Sequence, residues 1–103
     1  MNSRQLGEAI EEGVKPIFTC ETERCLWFAG TGEWDKAHDI VESLPEPGAS
    51  WIHGMLHREE GDRANASYWY TRAKQEMPRK GTSFKDEWLV VAKGLLDYNV
   101  TKN

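Results

Sequence analysis

A chain of 103 residues has room for one domain around one core, and its five tryptophans, three tyrosines and three phenylalanines make the composition globular rather than disordered. The formal net charge of -4 excludes a general nucleic-acid surface, which needs a basic face to displace phosphate counterions. No apolar run approaches the roughly 18–20 residues of a membrane span, and Met1-Asn-Ser-Arg-Gln-Leu-Gly-Glu8 lacks the apolar centre of a signal peptide, so a cytoplasmic protein without membrane contact is expected.

In chain order, Leu6, Ala9, Ile10 and Val14 recur at helical spacing, and Pro16 closes that first segment. A second helix is expected from Ile17 to Gly30, carrying Phe18, Leu26, Trp27 and Ala29 and ending at Gly30-Thr-Gly32, where glycine takes the left-handed conformation. Between these helix markers, Cys20 and Cys25 lie on different faces, which predicts neither a disulfide nor a metal pair. The third helix places Trp34, Ala37, Ile40, Val41 and Leu44 on one stripe and stops at Pro45-Glu-Pro47-Gly48.

Ile52, Met55 and Leu56 mark a fourth helix that ends at Gly61, and Asp62 is placed to cap a fifth. The buried stripe of that fifth helix reads Ala66, Trp69, Tyr70, Ala73 and Met77. After Pro78 the run Ser83-Phe-Lys-Asp86 has the form of a capping box with aspartate in the acidic position, and Phe84, Trp88, Val91 and Leu95 form the main line of a sixth helix. No segment alternates as a strand does. The fold class is therefore all-α, in one domain over 1–103.

Gly32-Glu-Trp-Asp-Lys-Ala37 followed by Val41 repeats as Gly61-Asp-Arg-Ala-Asn-Ala66 followed by Tyr70, an offset of 29 residues, and each copy spans a turn between helices. With Gly54, Tyr70, Ala73 and Pro78, these residues resemble the tetratricopeptide-repeat family and its Sel-like relatives, which often carry a Trp-Tyr pair such as Trp69-Tyr70. The resemblance covers about residues 20 to 80 and is closest in the later unit. Trp51, His53 and His57 depart from the family pattern, and the offset is shorter than its period. The resemblance implies antiparallel helix-turn-helix pairs in an alpha-alpha superhelix, with two repeat-like units between capping helices. The segments His57-Arg-Glu-Glu-Gly-Asp62 and Tyr68-Trp-Tyr70 also resemble a small bacterial protein family that implies no activity.

By that resemblance, the first helix of each unit lines a concave groove that captures a protein partner or a second copy. Leu26, Ala29, Trp51, Met55, Arg58 and Glu59 are the groove residues so implied, and aromatic, methionine and arginine anchors suit such a surface. The bland alternative is that Trp51 and Met55 are core. A basic cluster, Arg72, Lys74, Arg79 and Lys80, reads as solvated charge at a helix end.

A second candidate is polar. His53 and His57 are four residues apart and project from one helical face, with Glu60 three further on; Asn65, Tyr68 and Arg72 on the return helix are in reach to bind a ligand there. The His-x3-His pair lacks a third ligand and has Gly54 where the zinc-protease motif has glutamate, so no cofactor is expected, and a divalent metal or a hydrolytic site is the minority alternative. The competing account has both imidazoles hydrogen-bonded between helices and Glu60 paired with Arg58 or Arg63. His38 joins them only if the fold brings it there. No phosphate loop, nucleotide fingerprint or nucleophile elbow appears, so no catalytic residue is assigned.

Overall fold

Each of the two repeat-like segments forms a helical hairpin, and the remaining two helices close over them. The computed structural model describes residues 1–97; residues 98–103, the end of the expected domain, lie outside the described residues. The order is α1 (Ser3–Glu12), α2 (Glu21–Gly30), α3 (Trp34–Val41), α4 (Gly48–Glu59), α5 (Arg63–Ala73) and α6 (Phe84–Leu96), with no strand among the described residues.

Local chemistry sets most of the boundaries. Asn2 accepts from the Gln5 amide at 2.8 Å while the Gln5 side chain accepts from the Asn2 amide at 2.9 Å, a reciprocal cap that starts α1. Asp62 accepts from the Asn65 amide to cap α5, and Ser83 accepts from the Asp86 amide to cap α6. Gly32 and Gly61, with φ of 82° and 92°, end the turns of the two hairpins in the left-handed region that a side chain would resist.

The second helix begins later than its apolar residues suggest. Thr19 donates from its amide and hydroxyl to the buried Glu23 carboxylate, at 2.8 and 2.9 Å, and α2 starts at Glu21, after that turn. Ile17 is left outside the helix, 92% exposed, and Val14 lies beyond the Gly13 cap of α1. Met77 likewise falls past the end of α5.

Hairpins α2–α3 and α4–α5 stack through α3 against α4, while α6 lies across α1, α2 and α4. The central element is α4: Gly48 and every residue from Ser50 to His57 are buried. A helix apolar or buried on all sides must be covered on all sides. Ala37 and Ala66, at matching places in the two hairpins, are both fully buried. At the far end of α6 the Asp97 carboxylate accepts from the Ser3 amide and hydroxyl, at 2.7 and 2.5 Å, tying α1 to α6.

Candidate metal centre

The covering helices remove the implied groove. Leu26, Ala29, Trp51 and Met55 are buried in the core, and the Trp51 ring sits against Gly94 of α6. Stacking α6 on α4 buries the face that an open superhelix would leave concave. Arg58 is also committed: Nη1 donates to Glu87 at 2.7 Å, and Nη2 donates to the carbonyls of Arg79 and Thr82. Tyr70 donates to the same Glu87 carboxylate from the other side. Burial raises the pKa of Glu87, an effect that Tyr70 and Arg58 only partly offset. This network fastens α4, α5 and the 74–83 connection to α6. Of the six implied groove residues, Glu59 alone is exposed.

The polar candidate fares differently. The chain has three histidines, and all three meet: ligand atoms of His38, His53 and His57 lie within 4.8 Å of one another. Sequence spacing accounts for two of them, since His53 and His57 are one turn apart on α4 and their rings are parallel, with centroids 5.8 Å apart. The third arrives through packing. Trp34, at the start of α3, donates its indole N–H to the Leu56 carbonyl of α4 at 2.7 Å. That bond pins α3 beside α4, and one turn later His38 stacks on the Trp34 ring, 4.7 Å between centroids, with its edge toward both α4 imidazoles.

Each imidazole is held in its own way. His57 bonds through Nδ1 to Glu60 at 2.7 Å, rather than Glu60 pairing with Arg58 or Arg63. A carboxylate only accepts, so the proton of this bond sits on Nδ1, and Nε2 is the nitrogen through which the ring would ligate a metal. His53 stacks on Trp69 of α5, 4.1 Å between centroids, and its Nδ1 is buried with no hydrogen-bond partner among the described residues. Burial pushes the pKa of His53 down, and His38 and His57 push it further; Glu42 and the Ala49 carbonyl, which lies outside hydrogen-bonding geometry, oppose this only in part. His53 is therefore neutral at pH 7, the form in which imidazole ligates metal.

A cavity of about 470 Å³ opens in front of the three rings. Trp69, Asn65 and Arg72 bound it on α5, and Glu42 and Glu46 bound it on the other side. Glu46 is fixed by Ser50, whose amide and hydroxyl donate to its two oxygens at 2.9 and 2.7 Å, and Arg72 pairs with it at 3.5 Å. These bonds, and more weakly Arg72 and His53, hold the Glu46 pKa below its ordinary value despite a small opposing effect of burial. Tyr68, also a sequence candidate, is exposed and stands edge-on to Trp69 rather than in the cavity wall.

Chemically, three imidazole nitrogens form a donor set for a borderline ion such as zinc. Bonds of ~2.0 Å in a tetrahedron place ligand atoms about 3.3 Å apart, so rings whose nitrogens stand up to 4.8 Å apart have to close on the ion by side-chain rotation. Behind the ligands, the Glu60–His57 bond is the carboxylate–histidine arrangement that orients metal-bound imidazoles. A second grouping, His57 with Glu60 and Asp62, belongs to the exposed α4–α5 turn, where Asp62 already caps α5. Sequence reading left His38 conditional on the fold and missed Trp34, Glu42, Glu46 and Trp69 as site residues. The available signal was the repeat itself, because stacked hairpins set the second helix of one unit beside the first helix of the next.

Comparison with protein-family models, with curated proteins and with solved structures finds no match to this chain. Among the described residues no helix is long and apolar enough to cross a membrane.

Proposed function

We propose that this chain is a small metal-binding protein in which His38, His53 and His57 hold a divalent ion of the zinc class. One observation carries the reading: a chain with three histidines brings all three to one cavity wall, from two helices. The stacking of the buried His53 ring on Trp69, which fixes it in that wall, supports it. So does Glu60 behind His57. A cytoplasmic setting goes with this reading, in which the free thiols of Cys20 and Cys25 stay reduced. The scaffold is read as a shortened tetratricopeptide-like pair of hairpins, closed by α1 and α6.

The test is thermal. Zinc in 100-fold excess over its dissociation constant adds ~2.7 kcal/mol to the folded state, a rise of roughly 10 °C or more in a domain of this size. His38→Ala, at a half-buried position, is expected to keep the metal-free melting temperature and lose the rise, and one zinc per chain should bind by calorimetry. Superimposable melting curves with zinc and with chelator would reject the reading.

A second reading, capture of a protein partner or self-association, is supported by a different observation. Val14 and Ile17 are large apolar side chains left 62% and 92% exposed in the α1–α2 connection. It no longer involves the buried face of α4.

A further inference from the structure

We infer that the metal held by the three histidines keeps an exchangeable position, filled by a small oxyanion whose far side is gripped by Arg72. This rests on the metal-binding reading and names what the same site takes as its ligand. Three imidazoles leave a zinc-class ion one coordination position short of a tetrahedron, the arrangement of sites that exchange ligands rather than of closed structural sites. The three rings form one wall of a cavity of about 470 Å³, so the remaining position points to space that a small molecule can occupy.

The charges facing that space change sign when the ion enters. Glu42, Glu46 and Arg72 are the acidic and basic side chains that line it beside the histidines, a net of one negative charge. Among the charges that line the space a divalent ion leaves one net positive charge, offset from behind by the Glu60 carboxylate on His57, and an incoming anion meets the ion and Arg72 first. A protein carboxylate is the competing fourth ligand. Glu46 is a poor one, because its two oxygens already accept from the amide and hydroxyl of Ser50. Glu42 is exposed just past the end of α3, so it remains the alternative that the experiment has to separate.

Among the described residues, Arg72 is the sole lysine or arginine of the cavity wall. Its guanidinium is steadied over the Trp69 ring, 5.4 Å from the centroid, and Trp69 in turn stacks on His53. Arg72 at present pairs with Glu46 at 3.5 Å, both side chains half exposed, and donates to the Tyr68 hydroxyl at 3.5 Å. Such a pair is weak, and a metal-bound oxyanion that offers Arg72 a charge-assisted hydrogen bond replaces it at little cost. Carboxylate and phosphoryl groups share this chemistry: one oxygen on the ion, another on the guanidinium.

The experiment uses the full chain loaded with cobalt(II), whose visible bands report both ligand number and exchange. Acetate and inorganic phosphate are titrated separately into wild type, Arg72→Ala and Arg72→Lys. In wild type the bands shift and saturate, and the anion that acts at lower concentration identifies the preferred head group. Arg72→Ala should raise that dissociation constant about tenfold, the factor corresponding to ~1.4 kcal/mol, with Arg72→Lys in between. Bands that neither anion moves would mean that Glu42 or another protein group closes the site, and equal anion affinity in Arg72→Ala would remove the role of Arg72; either result overturns the inference while leaving the metal site standing. Absence of any cobalt band overturns the metal-binding reading and this inference with it.

Discussion

Glu60 holds His57 by its Nδ1, 2.7 Å away and three residues along the chain, in a ring that has a ligand atom within 4.8 Å of those of His38 and His53. Removing the carboxylate's charge while keeping its shape tests whether this bond serves the metal or merely the helix end. Glu60→Gln should weaken zinc binding by roughly 10- to 100-fold, the usual cost of losing an outer-shell partner, as measured by chelator competition. Because Glu60 is exposed, the metal-free unfolding midpoint should stay within the ±0.5 kcal/mol typical of surface substitutions. Unchanged zinc affinity would reduce the Glu60–His57 bond to a local end-of-helix contact.

Gly54 of α4 faces the ring of Tyr70 on α5 so closely that a methyl group at residue 54 would lie 2.6 Å from a ring carbon. The ring cannot retreat freely, because its hydroxyl is bonded to the buried Glu87. Gly54→Ala should therefore destabilise the domain by about 1–3 kcal/mol through overpacking, despite the better helix propensity of alanine. Chemical denaturation reads it directly, and a stabilised variant would show that the α4–α5 crossing can widen.

Much of the helical framework was legible because it is written in short-range chemistry: Asp62 and Ser83 cap where their positions predict, and Ala37 and Ala66 are buried at equivalent crossings. The late start of α2 was not, since the Thr19–Glu23 turn outcompetes the helical spacing of Ile17 and Phe18. Two of the three histidines of the candidate site were legible for the same reason: His53 and His57 share a face by helical geometry alone. His38 joins them through the Trp34 indole bond to the Leu56 carbonyl, a tertiary contact with no local signature. The implied groove failed for the converse reason. Repeat geometry describes an open array, whereas here α6 packs across α1, α2 and α4 and covers the face that such an array leaves free.

Arg58 and Tyr70 both bond the buried Glu87, so removing either leaves a buried carboxylate short of a donor. Arg58→Ala should cost about 3–5 kcal/mol, because it strands a buried charge, and Tyr70→Phe about 1–3 kcal/mol. The double variant should cost less than the two losses added, since both act through one carboxylate. Urea unfolding of the four proteins forms the cycle. Strict additivity would mean that Arg58 acts through the Arg79 and Thr82 carbonyls instead.

Glu46 stands where Pro47, the residue preceding α4, offers no side-chain cap, and its carboxylate takes over by accepting from the amide and hydroxyl of Ser50. The bonds from Ser50 hold its pKa below the ordinary carboxylate value of about 4.3. A carboxyl with a lowered folded-state pKa contributes stability that is present above the unfolded value and lost as pH falls through the folded one. Glu46→Ala should accordingly cost ~1 kcal/mol at pH 7, a capping loss already discounted for the half-exposed side chain, and the gap from wild type should narrow at pH 3 and below. Urea midpoints of both proteins across that range measure it. A gap that stays constant with pH would show that the side chain acts through packing and that its charge does not cap α4.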